Sequence, residues 1–245
     1  MQDNQSNIGV RHHNYIFRNQ TLFWSGSDSR DRFDENCKNP EKLQVLTRLG
    51  WLSPECITYT YNSHGFRDDE FDNRSCGIAI GCSFTEGVGI PQQTVWPRVL
   101  GKLSNTYVWN LGVGGSSLDT CFRLLDHWLP ILKPRFVVLC LPPLNRVEVF
   151  DHHNPVSILP NQQNNGHLNT YYKVWATNDA NATVTKRKNL LAMQQLCDQV
   201  QIPFCYLDSS AMKKQPWARD LAHFGVESNA EFAEQIYNLL PKEIL

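Results

Sequence analysis

Six consecutive apolar residues, Phe136-Val137-Val138-Leu139-Cys140-Leu141, constrain this chain more than any other feature. The run is short, continuous and rich in strand-forming residues, which fits a strand of a parallel sheet buried on both faces. Three weaker runs read the same way: Gly77-Ile78-Ala79-Ile80-Gly81, Tyr107-Val108-Trp109 and Pro203-Phe204-Cys205-Tyr206-Leu207.

Helical spacing fills the gaps between these strands. Trp96, Val99, Leu100 and Leu103 form one stripe, and Leu118, Cys121, Phe122, Leu125 and Trp128 form a second that Pro130 and Pro134 should end. Leu190, Met193, Cys197 and Val200 form a third, with Lys186-Arg187-Lys188 as its solvated start. The last helix is predicted to open on a capping box from Ser228 to Glu231 and to bury Phe232, Ile236 and Leu239. A polar, loop-like tract spans about Asp151 to Asn169. Strands alternating with helices predict an α/β fold, a three-layer α/β/α sandwich around a parallel sheet. Residues 1–75 are polar and weakly periodic, and read as an appendage packed on a main domain of residues 76–245. They hold one short helix candidate, with Asn39 as cap, Pro40 at its first position and Gly50 as its stop.

Bulk properties exclude several functions. The 245 residues carry 23 basic and 24 acidic side chains, so no electrostatic case exists for nucleic acid. No apolar run approaches the roughly 18 residues of a membrane span, and Met1 to Arg11 lacks the apolar core of a signal peptide. A soluble, cytoplasmic protein is the expectation. The eight cysteines are scattered and form no CxxC pair, which points to reduced thiols rather than disulfides or a zinc site. His12-His13 and His152-His153 lack a carboxylate or thiol at ligand spacing and read as surface histidines. No metal and no cofactor is expected.

In a parallel sheet, ligands bind beyond the carboxyl ends of the strands. Four segments sit there. Gly81-Cys82-Ser83 places a hydroxyl where a strand gives way to a helix. Asn110-Leu111-Gly112-Val113-Gly114-Gly115-Ser116-Ser117 presents backbone N–H groups, and is neither G-x-G-x-x-G nor a Walker sequence. Pro142-Pro143-Leu144-Asn145 offers a side-chain amide. Asp220-Leu221-Ala222-His223 lets a carboxylate orient an imidazole within one turn, which makes His223 a competent general base. Each segment alone is ordinary; their order after successive strands is what carries information.

That order resembles the SGNH (GDSL-type) hydrolase superfamily, whose four blocks contribute a serine, a glycine, an asparagine and a histidine. The resemblance runs from about Asn62 to the C-terminus. It includes Asn62-Ser63-His64-Gly65-Phe66-Arg67, similar to a lead-in of one branch, and Asn229 with Phe232-Ala233 in the last helix. It implies a flavodoxin-like sandwich and a serine esterase or deacylase with no cofactor. Ser83 would be the nucleophile, His223 the base and Asp220 its orienter. The N–H groups of Ser83 and Gly115 and the side-chain amide of Asn145 would form the oxyanion hole. The substrate would be a small-molecule or carbohydrate ester, an O-acetyl sugar among the candidates.

Two blocks depart from the family. Cys82 stands where an aspartate is usual, and Pro143 and Arg146 flank Leu144-Asn145 where Gly-x-Asn-Asp is usual. Cys82 is also a rival nucleophile, although adjacent side chains point apart. Tyr171, Tyr172 and Trp175 invite a sugar-binding reading against one of ordinary packing. Transfer of the acyl group to a sugar hydroxyl, or a degenerate fold kept for binding, are the competing functions.

Overall fold

The structure, a computed structural model, describes residues 11–152, 154–159, 167–176, 178–212 and 217–244. Its strands are β1 (Thr21–Leu22), β2 (Tyr59–Thr60), β3 (Cys76–Gly81), β4 (Tyr107–Gly112), β5 (Val137–Leu141), β6 (Val147–Asp151), β7 (Asn154–Ile158) and β8 (Phe204–Asp208). Its α-helices are α1 (Arg30–Lys38), α2 (Pro40–Leu49), α3 (Ser83–Glu86), α4 (Trp96–Leu103), α5 (Leu118–Leu132), α6 (His167–Ala176), α7 (Asp179–Gln199) and α8 (Val226–Leu239).

The predicted apolar runs become one four-stranded parallel sheet in the order β4-β3-β5-β8. Side chains of a strand alternate between faces, and here the alternation sorts the core into two halves. Ile78, Ile80, Trp109, Leu111, Val137 and Leu139 pack with Leu118, Cys121, Leu125 and Trp128 of α5 and Met193 and Cys197 of α7. Ala79, Val108, Val138 and Cys140 pack on the other side with Trp96 and Leu100 of α4 and Phe232 and Ile236 of α8. With α5 against α7 on one face and α4 against α8 on the other, this is the three-layer α/β/α sandwich expected.

Several local expectations are corrected. Pro130 lies inside α5, not at its end. Its missing N–H forfeits the bond to the Asp126 carbonyl, a cost met by the buried face of α5, and the helix stops at Lys133, which adopts φ 45° ahead of Pro134. Lys186-Arg187-Lys188 falls in the middle of α7, because Asn178 caps a start at Asp179. Helix α8 begins at Val226 with Gly225 as its cap residue, so Ser228 lies in the first turn. Leu103, Val200 and Leu239 are exposed, each in the last turn of its helix or just beyond.

The tract read as a loop starts inside the antiparallel hairpin β6–β7, with Val147 opposite Ile158 and Val149 opposite Val156, and holds strand β7 and the start of α6. Alternation in Val147-Glu148-Val149 was its signal. Residues 153 and 160–166 of that tract lie outside the described residues. Helix α2 forms as predicted, with Asn39 accepting from the N–H groups of Glu41 and Lys42 and Gly50 at φ 75°. A second helix, α1, precedes it under a Ser29 cap. His12 is not on the surface: it is buried against Phe66, its Nε2 meets the His64 carbonyl, and burial pushes it down to about 3.

Residues 11–75 are fastened to the sandwich by a fully buried ion pair. The Arg219 guanidinium donates to both oxygens of Asp28, to Pro54 O and to Phe23 O. Removing one partner of such a pair strands a buried charge and costs about 3–5 kcal/mol. Asp28→Ala should lose stability on that scale in urea unfolding, and the double variant Asp28→Leu/Arg219→Met should lose less. Equal losses would show that the charges are not coupled.

Candidate active site

Strand β3 ends at Gly81, and the chain turns at once into the short helix α3. A Cβ on Gly81 would lie 2.2 Å from Thr85 Oγ1, and one on Gly112 would lie 2.3 Å from Glu86 N. Only glycines let α3 rest so closely across the ends of β3 and β4. Ser83 is the first residue of α3, with Cys82 as its cap residue. Its hydroxyl lines a cavity of about 600 Å³ shared with Gly114, Gly115, Arg146 and His223. A larger groove of about 670 Å³, between α7 and β8, contains no serine, cysteine, histidine or carboxylate.

His223 reaches Ser83 from the loop after β8. Trp217 and Phe224 bridge the ends of that loop, and Ala218 N donates to His223 O at 3.0 Å. His223 Nε2 lies 2.8 Å from Ser83 Oγ, and Nδ1 lies 2.6 Å from Asp220 Oδ2. Asp220 Oδ1 accepts the N–H groups of Ala222 and His223, and Oδ2 also accepts the Ser27 hydroxyl at 2.7 Å. Burial alone would raise the Asp220 carboxyl. The hydrogen bond and charge of His223, with Ser27 and the Ala222 N–H, override it and hold the carboxyl well below the usual carboxylate range. An ionised Asp220 keeps the imidazole proton on Nδ1 and leaves Nε2 to accept from Ser83.

Two N–H groups stand ready beside Ser83. Neither the Ser83 N–H nor the Gly115 N–H finds an acceptor among the described residues. Gly115 sits at φ 76°, a left-handed conformation that favours glycine. The preceding Gly114 N–H is occupied, donating to Glu86 Oε2 at 2.6 Å. Glu86 Oε1 in turn accepts the Tyr61 hydroxyl at 2.8 Å, and Tyr61 meets Ser25 Oγ at 2.6 Å.

Thus the structure brings Ser83, His223, Asp220 and Gly115 together. Asn145 goes elsewhere: it is exposed and lines a neighbouring hollow with Pro142, Pro143 and Trp175. The next residue, Arg146, lines the Ser83 cavity instead. Tyr172 is buried with its hydroxyl on Asn145 O, and Trp175 packs beside it in the small core under the β6–β7 hairpin. The Tyr171 side chain lies outside the described residues. Cys82 is fully buried and does not line the cavity. Among the described residues no cluster of His, Cys, Asp and Glu could hold a metal, and no helix is long and apolar enough to cross a membrane.

Sequence reading missed Ser27, Tyr61, Glu86 and Arg146. Glu86 had a signal, since three residues after Ser83 is one helical turn. Ser27 and Tyr61 had none, being distant in sequence from everything they touch.

No protein-family model matches this chain, and no curated protein matches it. Solved structures similar to it include a lipolytic protein of the G-D-S-L family from Desulfitobacterium hafniense DCB-2. That match has 17% identity and a TM-score of 0.37, over 68% of this chain and 99% of that one. Another is an acetyl xylan esterase from the rumen bacterium Butyrivibrio proteoclasticus, at 11% identity and a TM-score of 0.39, over 72% of this chain and 66% of that one. A third is the psychrotrophic esterase EstA from Pseudoalteromonas sp., at 14% identity and a TM-score of 0.36, over 68% and 96%. Likeness at this level carries no weight for the chemistry, which rests on the residues alone.

The Asp220 environment has a measurable consequence. Its folded carboxyl lies below the ordinary value near 3.9, so its contribution to stability is present above pH 4 and lost as pH falls further. The stability advantage of the wild type over Asp220→Asn should therefore shrink between pH 5 and pH 2 in urea unfolding. A gap that stays constant with pH would contradict that environment.

Proposed function

We propose that this protein is a serine ester hydrolase that works through an acyl-enzyme on Ser83. The observation that carries this reading is the unbroken chain Asp220–His223–Ser83, at 2.6 and 2.8 Å, ending beside two N–H groups without acceptors.

The chemistry follows from that chain. His223 Nε2 takes the Ser83 hydroxyl proton as Oγ attacks the ester carbonyl carbon, and the imidazolium formed is stabilised by ionised Asp220. The carbonyl oxygen gains its negative charge against the N–H groups of Ser83 and Gly115. Donors fixed before the reaction stabilise that charge without reorganising, each by about 3–4 kcal/mol. His223 then gives its proton to the leaving alcohol. Water enters, His223 takes one of its protons, and the hydroxide attacks the acyl carbon to release the acid and restore Ser83. Asn145 has no part in this scheme, so the oxyanion is held by two backbone donors. Acetylated sugars are the first esters to screen.

Reaction with a fluorophosphonate probe tests the nucleophile. The adduct should map to Ser83 by mass spectrometry and vanish in Ser83→Ala. An adduct on Cys82, or none, would sink the mechanism. Ser83→Ala and His223→Ala should each lower kcat on the best ester by roughly 10⁴–10⁶-fold, and the double variant hardly further, because the groups act as a unit. Additive losses would break the assignment.

A further inference from the structure

The cavity over Ser83 holds one charge that the fold does not match. Arg146 lines it, half-buried, and its one hydrogen bond among the described residues is a long contact of 3.5 Å from Nη1 to Ser116 O. Other arginines withdrawn from solvent are closed off. Arg67 is spread over carbonyls of Thr58, Glu86, Gly87 and Ile90, Arg98 pairs with Asp68, Arg123 with Glu148, and Arg219 with Asp28. The fold therefore matches its buried guanidinium groups, with Arg146 as an exception at the cavity of the nucleophile.

The carboxylates around this cavity cannot supply the missing partner. Glu86 is already bound by the Tyr61 hydroxyl and the Gly114 N–H. Asp220 accepts from His223 Nδ1, the Ser27 hydroxyl and two backbone N–H groups. A guanidinium presents a planar fork of N–H donors that fits a carboxylate through two parallel hydrogen bonds. Arg146 is the one permanent cation among the described residues lining the cavity, and Glu86 lines it as well. A single cation near a carboxylate suits a monoanion better than a doubly charged phosphate.

We propose that Arg146 is a specificity-determining residue of this cavity and that it binds the carboxylate of an anionic ester substrate. The proposal rests on the hydrolase reading above and adds the substrate class to it. Arg146 thereby fills a different role from the oxyanion-binding amide expected at Asn145: it holds a charge present in the ground state, so it acts on the affinity for one class of ester.

Two matched pairs of esters test this, one for each side of the scissile bond. 4-Nitrophenyl hemisuccinate against 4-nitrophenyl butyrate places the carboxylate on the acyl group. 4-Acetoxybenzoate against its methyl ester places it on the alcohol. In at least one pair the wild type should favour the anion in kcat/KM. Arg146→Gln and Arg146→Met should lower the anionic ester by roughly 10- to 100-fold, mainly through KM, and leave the neutral ester within about threefold. Arg146→Lys should restore part of the loss. Equal losses on neutral and anionic esters would overturn the proposal, as would a wild type indifferent to charge in both pairs.

A binding measurement separates this outcome from failure of the hydrolase reading. N-benzylsuccinamic acid and its methyl ester, titrated calorimetrically into Ser83→Ala, report affinity without turnover. Binding of the acid alone, lost in Ser83→Ala/Arg146→Gln, would support the anion site even if no ester were hydrolysed. Turnover abolished by Ser83→Ala, with no Arg146-dependent anion preference or binding, would leave the hydrolase standing and remove the anion site.

Discussion

The buried pair of Asp28 and Arg219 is the interaction on which the geometry of the site depends. Residues 217–225, which carry Asp220 and His223, form neither helix nor strand, so something other than backbone periodicity must fix them. Arg219 does so from below. Its side chain is fully buried, stacks over Trp24 at 4.1 Å, and donates to Asp28, Pro54 O and Phe23 O, while its backbone N–H donates to Gly89 O. Asp28 also accepts from the Tyr59 hydroxyl, and Tyr59 Oη accepts from Gly89 N–H. Taking two charges out of water is costly, and only full hydrogen bonding offsets it. Each neighbour in sequence repeats the pairing one step higher, since Ser27 beside Asp28 meets Asp220 beside Arg219. The segment before residue 76 is thus part of the scaffold of the site.

The nucleophile is held from the opposite side by a second arginine. Helix α3 has only four residues, too few to be stable alone, and its last carbonyls draw on partners outside the helix, the Asn110 side-chain amide donating to Thr85 O at 2.7 Å. Arg67 supplies the rest, donating to Glu86 O and Gly87 O and bridging to Thr58 O and Ile90 O. Its place is set by the tight turn before it, where Asn62 Oδ1 accepts the N–H groups of His64 and Phe66 and Phe66 enters the core. Helix α3 and the His223 loop are thus each pinned by a buried guanidinium, Arg67 from the segment before β3 and Arg219 from within the loop itself.

What the sequence made legible follows from how local each signal is. Apolar runs reveal β3, β4 and β5, whose residues are nearly all buried, and β8, an apolar edge strand that is only half-buried. Ser83, Gly115 and the Asp220-x-x-His223 turn are legible because each is a short motif at a strand end. Asn145 lies away from the Ser83 cavity for a local reason too. Beyond β5, Pro142 and Pro143 constrain the chain, and residue types alone do not say which of the next side chains turns inward. The structure turns Arg146 toward Ser83 and Asn145 away. Ser27, Asp28, Tyr59 and Tyr61 act across long sequence separations, and no pattern within their own segments marks them.

The cysteine before the nucleophile fits the same physical account. Cys82 is fully buried and does not line the Ser83 cavity, and burial pushes the thiols of Cys121 and Cys140 well above their usual range. A carboxylate at the fully buried position 82 would carry a desolvation cost. The acceptor that the turn needs comes instead from Glu86, one helical turn after Ser83, which takes the Gly114 N–H and so sets the backbone that presents Gly115. Ser83 and the Gly115 N–H are then tied through one short helix. A shift of α3 would carry Ser83 and the Gly114–Gly115 turn together, preserving the distance between the Ser83 hydroxyl and the Gly115 N–H on which the proposed chemistry depends.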